Sequence, residues 1–195
     1  MAITTEQIKE LRDATKVSVM QCKKALEEAE GDIEKAKIIL RKQSAITASK
    51  KAERTLNAGV VASYIHSGGN VGAMIELFSE TDFVSKNEEF KVLAREIAMQ
   101  VAATAPEFVK PEDIDENSMV KAKELFEKEA EGKPADIKEK IVAGKLDAYF
   151  AEKTLINQPY IKNPETTIKN LINEATLKFG EKIEVGRISR FSVLG

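Results

Sequence analysis

The hydrophobic pattern of this chain changes period three times, and that change constrains the fold more than any single motif. Up to about residue 57 apolar residues recur at helical spacing. Val60 to Ile65 and Val71 to Phe78 are instead rich in valine, isoleucine and aromatics, with Gly68-Gly69-Asn70 between them, which predicts a β-hairpin. Val71, Ala73, Ile75 and Leu77 form a uniformly apolar face on its second strand. Helical spacing then returns until the C-terminal KIEVGRISRFSVLG, which alternates as a strand should. Strands far apart in sequence with helices between them predict an α+β core.

Residues 1–42 read as three short helices. Thr4 with Gln7 fits a capping box, and Ile8 and Leu11 begin an apolar stripe that fades at Ala14. Val19, Cys22, Leu26 and Ala29 share one face of the second helix. Gly31 suits a helix stop and Asp32 a new start, with Ile33, Ala36 and Leu40 facing one way on the third. Each is too short to stand alone, so the three must share a core. Residues 43–57 read as a polar, helical connector whose Lys50, Lys51 and Arg54 form a solvated basic face. Beyond the hairpin, Phe90, Leu93, Ala94, Ile97, Ala98 and Val101 mark a helix over 88–104, and Pro106 and Pro111 bound a loop. Residues 117–131 predict an amphipathic helix around Val120, Leu125 and Phe126. Pro134 suits a first helical position, opening a helix through Ile137 and Ile141 that Gly144 breaks or bends before Leu146, Tyr149 and Phe150. Ile168, Leu171, Ile172, Ala175 and Phe179 predict a last helix, stopped by Gly180.

Composition narrows the function classes. With 30 basic and 32 acidic residues and a net charge of -2, the total charge gives no sign of a nucleic-acid partner. The single cysteine, Cys22, cannot form an internal disulfide, and no Cys/His cluster offers a metal site. The charged, periodic start MAITTEQIKELRDATK is unlike a signal peptide, and no apolar run is long enough to cross a membrane; a cytoplasmic protein is expected. Neither a phosphate-binding GxxxxGK[ST] loop, nor GxGxxG after a strand, nor GxSxG occurs. His66 is the only histidine, and nothing singles out a pair among the acidic residues. No cofactor is expected, and an enzyme is disfavoured.

One stretch, Ser79-Glu80-Thr81-Asp82-Phe83-Val84-Ser85-Lys86-Asn87, sits at an exposed strand-to-helix corner, where binding residues concentrate. Local pattern allows a purely structural reading as well. Asp82, Ser85 or Asn87 would cap the next helix, and Phe83 would tuck beneath it as a hydrophobic staple.

Thr81-Asp82-Phe83-Val84, ahead of an Asn-Glu-Glu-Phe helix start, resembles the TDFV motif of the elongation factor Ts family. Leu11-Arg12-Asp13-Ala14-Thr15, Cys22-Lys23-Lys24-Ala25-Leu26-Glu27 and Glu30-Gly31-Asp32-Ile33 are similar to that family's N-terminal signature. Ile97-Ala98-Met99-Gln100-Val101, Pro106-Glu107-Phe108-Val109, Gly132-Lys133-Pro134, Gln158-Pro159-Tyr160-Ile161 and Gly180-Glu181-Lys182-Ile183 follow in family order, so the resemblance is collinear over essentially the whole chain. It implies a UBA-like three-helix domain over 1–42, the connector over 43–57, and an α+β exchange and dimerisation core over 58–195 with a small antiparallel sheet covered by helices. It implies a guanine nucleotide exchange factor for elongation factor Tu, active in translation elongation. Thr81, Asp82, Phe83 and Val84 would meet Tu beside its magnesium site, with Phe83 as an apolar wedge and Asp82 engaging polar groups. Val19, Met20, Lys23 and His66 would add secondary contacts. The family loop before the second helix is usually glycine-rich. Here it reads Thr15-Lys16-Val17-Ser18-Val19-Met20, which predicts a differently shaped loop because easy access to positive φ is lost. A single hairpin unit, where longer members carry two, implies a homodimer. Against this stands an adaptor reading, since UBA-like domains also bind other proteins without any exchange activity.

Overall fold

Side-chain caps set the first helix starts in the computed structural model, which describes residues 3–193. Helix α1 (Thr5–Thr15) opens with the expected capping box: Gln7 N donates to Thr4 Oγ1 at 3.2 Å and Thr4 N donates to Gln7 Oε1 at 2.9 Å. Ser18 Oγ accepts from Gln21 N at 3.3 Å to start α2 (Val19–Glu28). Asp32 Oδ1 accepts from Lys35 N at 3.0 Å to start α3 (Ile33–Lys50). Gly31, at φ +87°, makes the turn between α2 and α3, a conformation that glycine adopts at little cost. The third helix does not stop near residue 42; it runs unbroken to Lys50, absorbing half of the expected connector.

The hairpin follows as β1 (Ala58–Ile65) and β2 (Val71–Ser79). With β5 (Ile183–Ser192) they form a three-stranded sheet in the order β1-β2-β5. Gly69, at φ +68°, turns the hairpin, where His66 N donates to Val71 O at 2.9 Å. At Gly59 a Cβ would lie 2.7 Å from the Leu77 carbonyl oxygen, so close backbone approach demands glycine there. A single turn, α4 (Asp82–Ser85), leads into α5 (Glu88–Thr104). The helices α6 (Glu116–Glu129) and α7 (Ala135–Lys153) come next, then the short antiparallel pair β3 (Pro159–Tyr160) and β4 (Asn163–Thr167), and α8 (Ile168–Phe179).

The chain divides into two compact units: Met1–Val61, Glu76–Ala94 and Lys169–Val185 make one, and Ala62–Ile75, Arg95–Ile168 and Gly186–Gly195 the other. The first is centred on Leu11, Val17, Cys22, Ala25, Leu26, Ala29, Ala36 and Leu40, joined by Leu177 of α8. Burying a leucine such as Leu26 fully stabilises the fold by about 1.5–3 kcal/mol, which explains how three short helices persist. Cys22 is buried within this cluster. Its thiol donates weakly to Val17 O at 3.7 Å, and burial pushes its pKa up. Phe90 of α5 meets Phe179 of α8 edge to face at 6.1 Å.

In the second unit, Ala122 and Phe126 of α6 and Ala130 at its C-cap pack with Val142 and Phe150 of α7. This differs from the expected α6 face: Phe126 is buried, whereas Val120 and Leu125 point to solvent. Nor does Gly144 break α7, which continues through it with open space where a Cβ would be. One helical glycine costs about 1 kcal/mol relative to alanine, less than the burial of Val142 and Phe150 on either side contributes. Pro134 caps α7 from one residue outside rather than opening it. Gln100, fully buried on α5, donates to Gln158 Oε1 and to Pro159 O, each at 3.1 Å.

Candidate functional site

The corner after β2 is a short chain segment whose ends are fixed and whose middle protrudes. Ser79 is fully buried and donates through Oγ to Thr81 O at 2.9 Å, folding the strand end back on itself. Thr81 takes the extended cap conformation of α4, with φ -128° and ψ 160°, but its side chain does not cap the helix. Instead Thr81 Oγ1 donates to Glu181 Oε1 at 2.5 Å and Thr81 N donates to Glu181 Oε2 at 3.0 Å. Glu80 makes the reverse connection, accepting from Lys182 N at 2.6 Å. Arg54 Nη1 grips the Glu80 carboxylate from the other side at 3.1 and 3.3 Å, and Lys51 Nζ donates to Gly180 O at 2.7 Å. Burial pushes the Glu80 carboxyl up. The Lys182 N–H, the Arg54 guanidinium and the Lys51 charge outweigh that, and the net displacement is below the ordinary value.

Within α4, successive side chains are about 100° apart around the axis, so burying two neighbours turns the other two outward. Val84 and Ser85 are buried; Asp82 and Phe83 face solvent. Phe83 is 87% exposed, the most exposed large apolar side chain among the described residues. The staple reading of Phe83 is thereby overturned: Val84, not the phenylalanine, supplies the apolar anchor. Asp82 is held below the ordinary carboxyl value, chiefly by the hydrogen bond from Lys86 Nζ at 2.5 Å and by the ammonium charge. Of the three capping candidates, Asn87 serves α5, accepting from Glu89 N at 2.8 Å through Oδ1.

The other predicted contacts lie elsewhere. Val19 (53% exposed) and Met20 (69% exposed) stand on the first turn of α2, with Lys23 one turn on, paired with Glu27 at 3.8 Å. The expected loss of positive φ before α2 is not observed. Lys16 adopts φ +56° and ψ 15° without being a glycine, and its N–H closes α1 on Arg12 O at 2.7 Å. His66 belongs to the second unit, exposed at the hairpin, with Tyr64 Oη 3.4 Å from its Nδ1. Sequence reasoning placed Glu80 in the corner but missed Glu181, Arg54 and Lys51 as parts of it. Their partners lie 26 to 129 positions away, where no local spacing points to them.

Among the described residues, no cluster of three or more His, Cys, Asp or Glu side chains could hold a metal ion. No helix there is long and apolar enough to cross a membrane. A protruding aromatic ring beside a carboxylate, on a fixed backbone, is equipped to bind another protein surface.

The family model described as Elongation factor TS matches residues 2–194. The elongation factor Ts of Thermodesulfovibrio yellowstonii is 50% identical over 194 residues, covering 99% of this chain and 97% of its own length. That of Carboxydothermus hydrogenoformans is 48% identical over 193 residues, covering 98% of this chain and 89% of its own. That of Caldanaerobacter subterraneus subsp. tengcongensis is 46% identical over 191 residues, covering 97% and 96%. A helical N-terminus, an α+β fold with a small sheet and a match along nearly the whole chain lead to one conclusion: this chain belongs to the elongation factor Ts family.

Proposed function

We propose that this chain is the guanine nucleotide exchange factor for elongation factor Tu, a cytoplasmic protein without chemistry of its own that speeds GDP release during translation elongation. Membership of the family supports the partner, and the exposure of Phe83 above buried Val84 and Ser85 carries the mechanism. In this reading residues 1–42 dock on the nucleotide domain of Tu through Val19, Met20 and Lys23. Residues 43–57 connect, and residues 58–195 present the Thr81–Val84 corner and His66 to it. Phe83 enters between helices of the partner, Asp82 pairs with polar groups beside it, and the magnesium and phosphate contacts of GDP loosen.

Magnitudes require both contact regions. Burying one phenylalanine stabilises a complex by about 1.5–3 kcal/mol. Accelerating release by about ten-thousandfold needs roughly 5.5 kcal/mol off the barrier, at 1.36 kcal/mol per decade. The remainder comes from the docked helices, provided that their binding energy is realised most fully when Tu is distorted. By linkage, a factor that weakens GDP binding is itself weakened by GDP to the same extent, so incoming nucleotide releases it.

We infer further that two copies associate. Ile65, Met74, Phe191 and Val193 are exposed around one open, largely apolar depression of the second unit, which suits a self-complementary contact. Sedimentation at micromolar concentration tests this, and a monomer there would refute it. For the exchange reading, elongation factor Tu is loaded with a fluorescent GDP analogue and chased with unlabelled GDP. Fluorescence decay should quicken by orders of magnitude when the chain is added. Binding without acceleration would favour the adaptor reading, and unchanged decay without binding would refute both.

A further inference from the structure

Two consecutive residues at the corner, Glu80 and Thr81, and two consecutive residues just before β5, Glu181 and Lys182, are bonded to one another in both directions. Glu181 accepts from the Thr81 backbone N–H and hydroxyl, while Glu80 accepts from the Lys182 backbone N–H. Each carboxylate thus binds the main chain of the segment that carries the other. A carboxylate bound to backbone donors makes shorter and stronger hydrogen bonds than a neutral acceptor does. Two such links, crossing one another, hold the relative position of the segments in a way that one alone does not. Arg54 and Lys51 reinforce the same junction, Arg54 on the free edge of Glu80 and Lys51 on the carbonyl of Gly180. Glu80, Glu181 and Lys182 are half-buried, so water does not fully screen the arrangement.

The clamp also determines where Phe83 stands. Thr81 is the residue from which α4 departs, and Glu181 holds both of its donors. If Thr81 turned, its hydroxyl would be free to cap α4 in the ordinary way, and the direction of the turn carrying Phe83 would change. We propose that Glu181 and Glu80 are positioning residues for exchange, holding the backbone at Thr81 so that Phe83 is presented in one orientation before the partner arrives. This rests on the reading of Phe83 as the group that enters Tu. Preorganisation of this kind removes an ordering cost from the step in which the ring inserts, so it acts on the maximal rate and not on initial docking.

The test is a double-mutant cycle on the full chain, read by release of the fluorescent GDP analogue from Tu. Glu181→Ala should lower the maximal exchange rate by about tenfold, roughly one charge-assisted hydrogen bond's share, and leave the half-saturating concentration unchanged. Glu181→Gln keeps an oxygen for the Thr81 N–H and should recover most of the lost rate. With Phe83→Ala already in place, Glu181→Ala should cost nothing further, because the clamp then has no ring to aim. In the isolated chain, amide hydrogen exchange should quicken over residues 79–87 alone. A Glu181→Ala variant at full rate would overturn the proposal. So would an equal loss in the Phe83→Ala background, which marks general destabilisation. Should Glu181→Ala not fold, Arg54→Leu is read in its place and should show a smaller loss with the same non-additivity; additive losses would overturn the proposal. Phe83→Ala at full rate would defeat the underlying reading and the clamp with it, whereas a slow Phe83→Ala beside a normal Glu181→Ala defeats the clamp alone.

Discussion

The corner at Ser79–Lys86 and the turn from α1 into α2 both push apolar side chains into water, but different forces build them. The α2 turn is local. Its bonds join Lys16 to Arg12, Thr15 to Leu11 and Gln21 to Ser18, all within four residues. The corner is fixed from afar, with Thr81 bonded to a residue 100 positions later. A local turn keeps its shape whatever happens elsewhere, as long as its helices stay packed. A corner tied to distant chain exists only in the completed fold, and its geometry is correspondingly sensitive to changes remote in sequence. In functional terms, the α2 turn suits docking, and the corner suits an action that depends on orientation.

The largest expected effect would establish that division. Phe83→Ala should lower the maximal rate of GDP release by about a hundredfold, the equivalent of one buried aromatic ring. Stopped-flow fluorescence over a range of factor concentrations measures it, and a loss confined to twofold would mean that the corner is no lever. Met20→Ala tests the other side. It should raise the half-saturating concentration about tenfold and lower the maximal rate by clearly less than the Phe83 variant does, since part of the docking energy is realised only as Tu is distorted. A fall in maximal rate equal to that of the Phe83 variant would erase the distinction between docking and action.

A smaller effect sharpens the contrast through pH. The folded Glu80 carboxyl lies below its ordinary value of 4.5, so its contribution to stability is present above that value and is lost as pH falls through the lower, folded one. The parent should therefore melt higher than Glu80→Gln at neutral pH, by about 1 kcal/mol of stability, and the gap should close in acid. A gap that persists in strong acid, where the Glu80 carboxyl is protonated, would show that its charge does not hold the junction. Smallest of all, Lys16→Gly should stabilise the chain by at most about 1 kcal/mol, since it relieves a left-handed residue but loosens the unfolded chain. Denaturant unfolding checks the sign; a marked loss would mean that the lysine side chain, not its backbone, holds the turn.

Legibility in the sequence follows the same line. Thr4 and Asp32 sit within three residues of the groups they cap, and those two helix starts could be placed from spacing alone. The period change located β1, β2 and β5, since alternation records one face against a core. Gly144 does not break α7 because a propensity of about 1 kcal/mol is easily overridden by packing on both sides. The pair β3 and β4 left no signal: Asn163–Thr167 is polar throughout and two residues of partner strand cannot alternate. At the corner, the TDFV motif marked the place, yet whether Phe83 faced in or out was undecided by local pattern. Burial of Val84 and Ser85 settles it, and that burial is made by residues brought together only on folding. Lys51 and Arg54 looked like a solvated face for the same reason.

Cys22, sealed among Leu11, Leu26 and Ala36, has a practical consequence. A thiol with no exposed surface and a raised pKa is a poor nucleophile toward maleimides, so the chain presents no reactive sulfur to a labelling reagent. A dye attached through Glu88→Cys, just past the corner, would then report approach and departure of the partner in real time, without first engineering away the native cysteine.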